Sequence, residues 1–238
     1  MSATWIVLPT YNEAENIARL VEAVLPELAS TGEHRILVVD DDSPDGTGRI
    51  ADDLAARHEA VEVLHRAGKE GLGRAYVAGF ERALAGGAEL IMEMDADFSH
   101  DPADIPRLVH EARNGADLVL GSRYARGGGI ENWGVGRRIV SRGGCLYAQA
   151  ILRVPVRDLT GGFKCFRRRV IEGIGIQQMH ADGYGFQIEL TYRALKAGFH
   201  VRELPIVFRE RRAGASKMSA RIAVEAVWKV PALKLRLP

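Results

Sequence analysis

The chain has 238 residues, 47% hydrophobic and 26% charged, with 32 Lys and Arg against 31 Asp and Glu for a net charge of +1. That balance excludes a disordered or fibrous chain, and two cysteines, Cys145 and Cys165, exclude a disulfide framework or four-cysteine zinc site and fit a reducing compartment. The neutral total hides a division: residues 1–121 hold 10 basic and 23 acidic residues, and residues 122–238 hold 22 and 8. An acidic half suits a cation, and a basic half suits phosphates, nucleic acid or an anionic membrane.

In chain order, Thr4–Leu8 reads as a strand. A helix follows from about Glu13, with Asn12 as N-cap and Glu15 completing a capping box. Arg35–Val39 is a second strand ending in Asp40-Asp41-Asp42, followed by a helix over Thr47–His58. Val61–His65 is a strand, Leu72–Ala85 a helix, and Leu90–Met94 a fourth strand that delivers Asp95-Ala96-Asp97. Asp101-Pro102 starts another helix, since proline at the first helical position forfeits no hydrogen bond. Asp117–Leu120 is a fifth strand. Strands alternating with helices predict an α/β fold with a mostly parallel sheet, whose ligands sit at the carboxyl ends of the strands.

The second half is less regular. A glycine-rich stretch leads into a helix over Arg138–Leu152; Phe163–Phe166 is a short strand, Phe186–Ala197 a helix, and Val201–Phe208 a last strand. A basic loop, Arg209–Lys217, precedes an amphipathic helix. Nothing marks a linker, so one domain over 1–238 is expected. The stretch Met218–Pro238 has two readings, a helix at an anionic membrane surface or one packed on the core. No uncharged stretch approaches the ~18 residues of a membrane span. The start lacks the basic region of a secretory signal, which predicts a cytoplasmic protein whose membrane contact is peripheral.

Asp95 and Asp97, two residues apart on an extended chain, are expected on one side, where two carboxylates serve a hard divalent cation together with phosphate oxygens. Asp41 is the functional candidate of the second acidic loop; Ser43 through Gly46 suffice as a turn and cap. Gly46-Thr-Gly48-Arg-Ile-Ala51 matches a dinucleotide fingerprint weakly, because it follows the second strand and an acidic loop intervenes. Arg123, Arg137, Arg138 and Ser141 suit a phosphate grip, and Arg211 and Lys217 a closing loop. Arg167-Arg168-Arg169 and the seven histidines are read as surface or packing residues, and Glu189 as an ion-pair partner. Nucleic acid is excluded as a partner: aromatics make up 7% of the chain, and its acidic half would repel a phosphate backbone.

Taken together, Leu8–Glu13, Val39–Thr47, Gly71-Leu-Gly73, Met94–His100, Gly121–Tyr124, Asn132-Trp133, Ser141-Arg-Gly143, Asp158–Phe163, Gly185-Phe-Gln187, Glu203–Ile206 and Gly214–Lys217 resemble the polyprenol- or dolichol-phosphate mannosyltransferases of glycosyltransferase family 2. The resemblance implies a GT-A fold, a Rossmann-like α/β sandwich. It implies inverting transfer from GDP-mannose to a polyprenyl phosphate, giving a β-linked lipid phosphomannose, with Mg²⁺ or Mn²⁺ as cofactor. Pro9, Tyr11, Glu13, Val39 and Asp41 then form the guanine and ribose pocket. Asp95, Ala96 and Asp97 form the donor and metal site, with Ser99 where some relatives carry a glutamine ligand. Arg123, Arg137 and Ser141 hold the acceptor phosphate, and Arg211 and Lys217 form a mobile basic loop. Asp42 and Cys165 depart mildly from the family pattern. The implied partners are the two substrates, the cytoplasmic face of a membrane and, since the chain lacks a span, a separate membrane-anchored protein that recruits it. The rivals are transfer from another donor such as UDP-glucose, a nucleotide-binding oxidoreductase and a non-enzymatic nucleotide-sugar-binding module.

Overall fold

A computed structural model describes residues 3–179, 183–210 and 220–237. The first half runs β1 (Thr4–Thr10), α1 (Ile17–Ala29), β2 (His34–Asp40), α2 (Thr47–Arg57), β3 (Val61–His65), α3 (Leu72–Ala85), β4 (Leu90–Glu93), α4 (Ile105–Arg113) and β5 (Leu118–Ser122). The second runs β6 (Gly129–Ile130), α5 (Val135–Leu152), β7 (Lys164–Arg167), α6 (Arg168–Gly173), α7 (Tyr184–Lys196), β8 (Val201–Pro205), β9 (Val207–Phe208) and α8 (Ala220–Arg236).

The main sheet has the order β3-β2-β1-β4-β7-β5-β8 and is parallel except for β7, which is antiparallel to both neighbours. β1 is buried along its whole length, as a parallel strand covered on both faces must be. Its alternation divides the core. Trp5 and Val7 face the cluster under α3, α5, α6 and α7, while Ile6 and Leu8 face the cluster under α1, α2 and α4. The chain leaves β1 toward β2 and β3, then returns to place β4 on the other side of β1. The carboxyl ends of β1 and β4 therefore flank a topological switch point, the usual ligand crevice of such sheets.

Several elements differ from the sequence reading. α1 begins at Ile17, and neither Asn12 nor Glu15 makes a capping box; Asn12 adopts a φ of 58°. The amide hydrogens there are held from another loop: Asn12 donates to Ser43 Oγ, Glu13 to Thr47 Oγ1 and Ala14 to Asp45 Oδ2. The predicted last strand is two, because β8 joins the main sheet whereas β9 pairs with β6. Arg167 and Arg168 are not solvated surface residues. Arg167 donates to the carbonyls of Ala112 and Arg113 at the end of α4, and Arg168 to Leu84 at the end of α3, so both satisfy helix C-termini. Arg169 pairs with Asp117. The described end of α8 packs on the core through Val230, Leu233 and Leu237, and Lys234 donates to the Ile151 carbonyl.

Candidate active site

The first wall of the crevice is built by the loops after β1 and β2. Pro9 and Val39 are partners across these strands. The Val39 side chain lies in the core, and its carbonyl accepts a hydrogen bond from Thr10 Oγ1. Asp40 organises the acidic loop by accepting from Ser43 Oγ at 2.6 Å and Ser43 N at 3.2 Å. A Cβ on Gly48 would lie 2.8 Å from Asp40 Oδ2, so the Gly46-Thr-Gly48 pattern arises from close packing of α2 on this loop. Asp41 is buried against Arg66, with Nη1 2.5 Å from Oδ1. Burial nevertheless raises the Asp41 carboxyl above its ordinary value, because desolvation outweighs the arginine's pull. Lys69 Nζ stands 4.0 Å from the Tyr11 ring centre, and Glu13 Oε2 accepts from Asn16 Nδ2. The loops after β1, β2 and β3 thus present an aromatic face, carboxylates and a cation at one strand edge.

The second wall follows β4. That strand ends at Glu93, and the following residues turn, with Phe98 at a φ of 60°. The strand-alternation argument for Asp95 and Asp97 therefore does not apply, and the turn gives the two carboxylates different settings. Asp97 is 5% exposed and accepts from Ser99 N at 3.0 Å. The Asp95 side chain keeps 34% exposure, with Oδ1 3.5 Å from the Tyr76 hydroxyl and Oδ2 3.6 Å from His100 Nε2. Ala96 is buried between them. Ser99 Oγ is buried without a partner among the described residues. Carboxylate and hydroxyl oxygens of this kind suit a hard divalent cation. Among the described residues no three His, Cys, Asp or Glu side chains close round an ion, so such a cation would need further oxygens from a ligand.

Behind Asp95 lies a polar network that the sequence reading missed. Lys164 Nζ is 2.7 Å from Glu93 Oε1 and also bonds Gln187 Oε1, while Gln187 Nε2 donates to Glu93 Oε2 at 3.3 Å. Glu93 and Lys164 have no exposed side-chain surface. Burial pushes the Glu93 carboxyl up and the Lys164 ammonium down, each against the pull of its partner. Gly162 brings the preceding loop alongside, since a Cβ there would stand 3.4 Å from both Asp95 Oδ1 and Gln187 Nε2. A charged residue inside the apolar run Leu90–Glu93 was the available signal, because a buried charge requires a partner.

The basic wall centres on residues 122–142. Arg123, expected in the phosphate grip, is paired with a carboxylate. It is buried, its Nε and Nη2 engage both oxygens of Asp158, and Nη2 also reaches Thr160. Burial raises the Asp158 carboxyl, but Arg123 outweighs it and holds the group below its ordinary value. Glu203 fixes this pair by accepting from Asp158 N, Arg157 N and Ser122 Oγ. Ser141 Oγ accepts from the Tyr124 hydroxyl at 2.7 Å. Arg142 stacks over Tyr124, and Arg137 stacks over Trp133 and pairs with Glu210. Arg137 Nε, Arg142 Nη1 and Trp133 Nε1 are buried donors without a partner among the described residues. Arg142, which lies in the Ser141-Arg-Gly143 segment of the family resemblance, was given no role from the sequence, unlike Arg137 and Ser141.

The acidic turn and the basic wall meet through stacked rings. His100 stacks on Phe163 at 5.1 Å and meets Phe208 edge-on at 5.2 Å, and Phe208 meets Trp133 in the same way. His100 is thus a packing histidine, as expected, and its packing joins the two walls of the site. Glu189 pairs with Arg193, as expected. Arg211 and Lys217 lie outside the described residues.

Comparison with known proteins accords with this arrangement. Residues 5–175 match the family described as Glycosyl transferase family 2. The chain is 46% identical over 228 residues to a polyprenol monophosphomannose synthase of Mycolicibacterium smegmatis, covering 95% of this chain and 85% of that protein. It is 44% identical to an undecaprenyl-phosphate mannosyltransferase of Micrococcus luteus, covering 93% and 89%. Among solved structures, it resembles the glucosyl-3-phosphoglycerate synthase of Mycobacterium tuberculosis in complex with Mn²⁺, uridine diphosphate and phosphoglyceric acid. The TM-score is 0.71 at 18% identity, covering 98% of this chain and 78% of that one. The same enzyme bound to Mn²⁺, UDP-glucose and phosphoglyceric acid gives a TM-score of 0.73 at 18% identity, covering 100% and 81%.

Proposed function

We propose that this chain, which belongs to glycosyl transferase family 2 and is a glycosyltransferase of GT-A fold, transfers mannose from GDP-mannose to a polyprenyl phosphate. The observation that carries the reading is a donor edge of carboxylates set against a wall whose buried Arg137 Nε and Arg142 Nη1 have no hydrogen-bond partner among the described residues, in a chain 46% identical to a polyprenol monophosphomannose synthase. We take residues 1–238 as one catalytic unit.

Tyr11, Glu13 and Asp41, with the backbone of Pro9 and Val39, hold the guanine and ribose. Asp95, Asp97 and Ser99 fit a divalent cation, Mg²⁺ or Mn²⁺, which when bound would supply positive charge to the donor diphosphate. The acceptor needs no protein base, because a phosphate monoester is already largely ionised at neutral pH, its second pKa being about 6. Its oxygen attacks the sugar C1, the bond from C1 to the diphosphate breaks, and GDP departs from the opposite face. The product is a β-linked lipid phosphomannose. Arg137, Arg142 and Ser141 orient the acceptor phosphate, and Arg123, held by Asp158, positions that wall. Arg211 and Lys217 are assigned to the departing diphosphate. A lipid acceptor places the reaction at a membrane, which we take to be its cytoplasmic face. Among the described residues no helix is long and apolar enough to cross a membrane. A membrane-anchored partner protein is assigned as the recruiter.

Calorimetry with GDP-mannose, UDP-glucose and NAD, each with and without Mn²⁺, tests the donor site. The reading predicts metal-dependent binding of GDP-mannose that Asp97→Ala abolishes. Tighter binding of UDP-glucose would move the activity to another donor, and binding of NAD alone would indicate an oxidoreductase.

A further inference from the structure

Arg137 is oriented by two neighbours, one on its face and one on its edge. Its guanidinium lies over the Trp133 ring at 3.9 Å, and Trp133 is itself fixed, 6% exposed and edge-on to Phe208 at 5.2 Å. This stack sets the plane of the guanidinium but not its rotation within that plane. Glu210 sets the rotation, its Oε1 accepting from Arg137 Nη1 at 3.1 Å. In a guanidinium, Nη1 lies on the side away from the Nε–H. A phosphate gripped side-on takes the edge that Nε shares with Nη2, where two parallel N–H donors match two oxygens. That edge is the one Glu210 leaves over, because Arg137 Nε is buried without a partner among the described residues. A buried donor with no acceptor is costly unless a ligand completes it.

A half-exposed ion pair between two flexible side chains ordinarily contributes little. This one differs in where its carboxylate is mounted. β9 pairs with β6, Arg209 N donates to the Ser99 carbonyl at 3.0 Å, and the Arg209 guanidinium pairs with both Asp101 and Glu131. Glu210 therefore follows directly on backbone tied to the turn of Asp95 and Asp97, whereas Arg137 stands in the first turn of α5 on the basic wall.

We propose that Glu210 is a positioning residue for the transfer reaction: from its anchorage beside the acidic turn it holds Arg137 against Trp133 with the Nε–Nη2 edge presented to the acceptor phosphate. This role rests on the assignment of Arg137 to that phosphate. Because Glu210 takes Nη1, carboxylate and phosphate engage the one guanidinium together instead of competing for it. The strap that is bonded to the donor turn thus also sets the acceptor arginine, which places the attacking oxygen relative to the donor.

The test is calorimetry on the full chain with a short-chain, water-soluble polyprenyl phosphate in the presence of GDP and Mn²⁺, and separately with GDP and Mn²⁺ alone. Arg137→Ala is expected to weaken the lipid phosphate at least ~10-fold, as loss of charged hydrogen bonds does. Glu210→Gln is expected to weaken it about fivefold, the upper range for a part-exposed ion pair, with GDP binding and the thermal melt unchanged. Glu210→Asp, which restores the charge, is expected to recover part of the loss. In the Arg137→Ala background Glu210→Gln should change nothing further, since it acts through the missing guanidinium. Tighter lipid-phosphate binding by Glu210→Gln overturns the proposal by making the carboxylate a competitor. An equal loss of GDP binding, or losses that add in the double variant, overturns it by making Glu210 a general support. A wild type that does not bind the lipid phosphate, or an Arg137→Ala protein that binds it as wild type does, removes the acceptor reading itself. Weakening by Arg137→Ala without weakening by Glu210→Gln removes the positioning role alone.

Discussion

Lys164→Met isolates the energetics of the network behind Asp95. Glu93 and Lys164 face each other in register across β4 and β7, with no exposed side-chain surface and 2.7 Å between Nζ and Oε1. Methionine keeps most of the side-chain length and removes the charge, leaving Glu93 with one neutral partner, Gln187. Removing one member of a buried ion pair costs about 3–5 kcal/mol, against a domain stability of ~5–15 kcal/mol. Glu93 can relieve part of that cost by taking up a proton, since burial already raises its pKa above the unfolded value and loss of the ammonium raises it further. Between the unfolded and folded pKa values the folded variant then holds a proton that the unfolded chain lacks. Its stability therefore falls as pH rises through that window and levels off above it. The deficit against wild type is smallest in acid and grows toward neutrality. Urea denaturation followed by the fluorescence of the buried Trp5 and Trp133 measures it. Glu93→Gln/Lys164→Met, which removes both charges, is expected to recover most of the loss. A Lys164→Met protein within ~0.5 kcal/mol of wild type at neutral pH, or a double variant no more stable than the single one, would refute the reasoning.

Two further substitutions probe other parts of the framework. Asp158→Asn leaves the buried Arg123 without its counter-ion and is expected to cost about 3–5 kcal/mol at neutral pH. Because the Asp158 carboxyl is held below its ordinary value of 3.8, its stabilisation is complete above that pH and is lost as pH falls through the lower folded value; the gap between variant and wild type in denaturant titrations should therefore narrow in acid. Gly79→Ala would set a Cβ 2.4 Å from Val7 Cγ1 and 3.1 Å from Val39 Cγ2 beneath α3. Overpacking there should cost about 1–3 kcal/mol, more than the gain of up to ~1 kcal/mol from alanine's helix propensity; a thermal melt with Tm at or above wild type would contradict this.

The parallel strands and the helices between them were legible because each is a local pattern, a continuous apolar run or a 3.6-residue stripe, and β3 and α3 run over the residues expected. What escaped depends on partners far along the chain. The start of α1 was misplaced because its preceding amides are held by Asp45 and Thr47, more than thirty residues away. The antiparallel insertion of β7 between β4 and β5 is a matter of long-range pairing, which no local period encodes. The acidic segments were placed correctly at strand ends, yet Asp95 and Asp97 differ in exposure because a turn, not a strand, carries them. The pairing of Arg123 with Asp158 was hidden because the two lie 35 residues apart. Arg142 had no assigned role because only the fold stacks it on Tyr124 beside Ser141.

Which bond the enzyme makes is read from its product. The purified chain is incubated with radiolabelled GDP-mannose, a polyprenyl phosphate and Mg²⁺ or Mn²⁺, the lipid is extracted, and its sugar linkage is determined by NMR. The expected product is a mannosyl phosphate lipid with the β configuration at C1, formed by wild type and not by Asp97→Ala. Label that stays in the aqueous phase, an α-linked product, or faster transfer of glucose from UDP-glucose would contradict it.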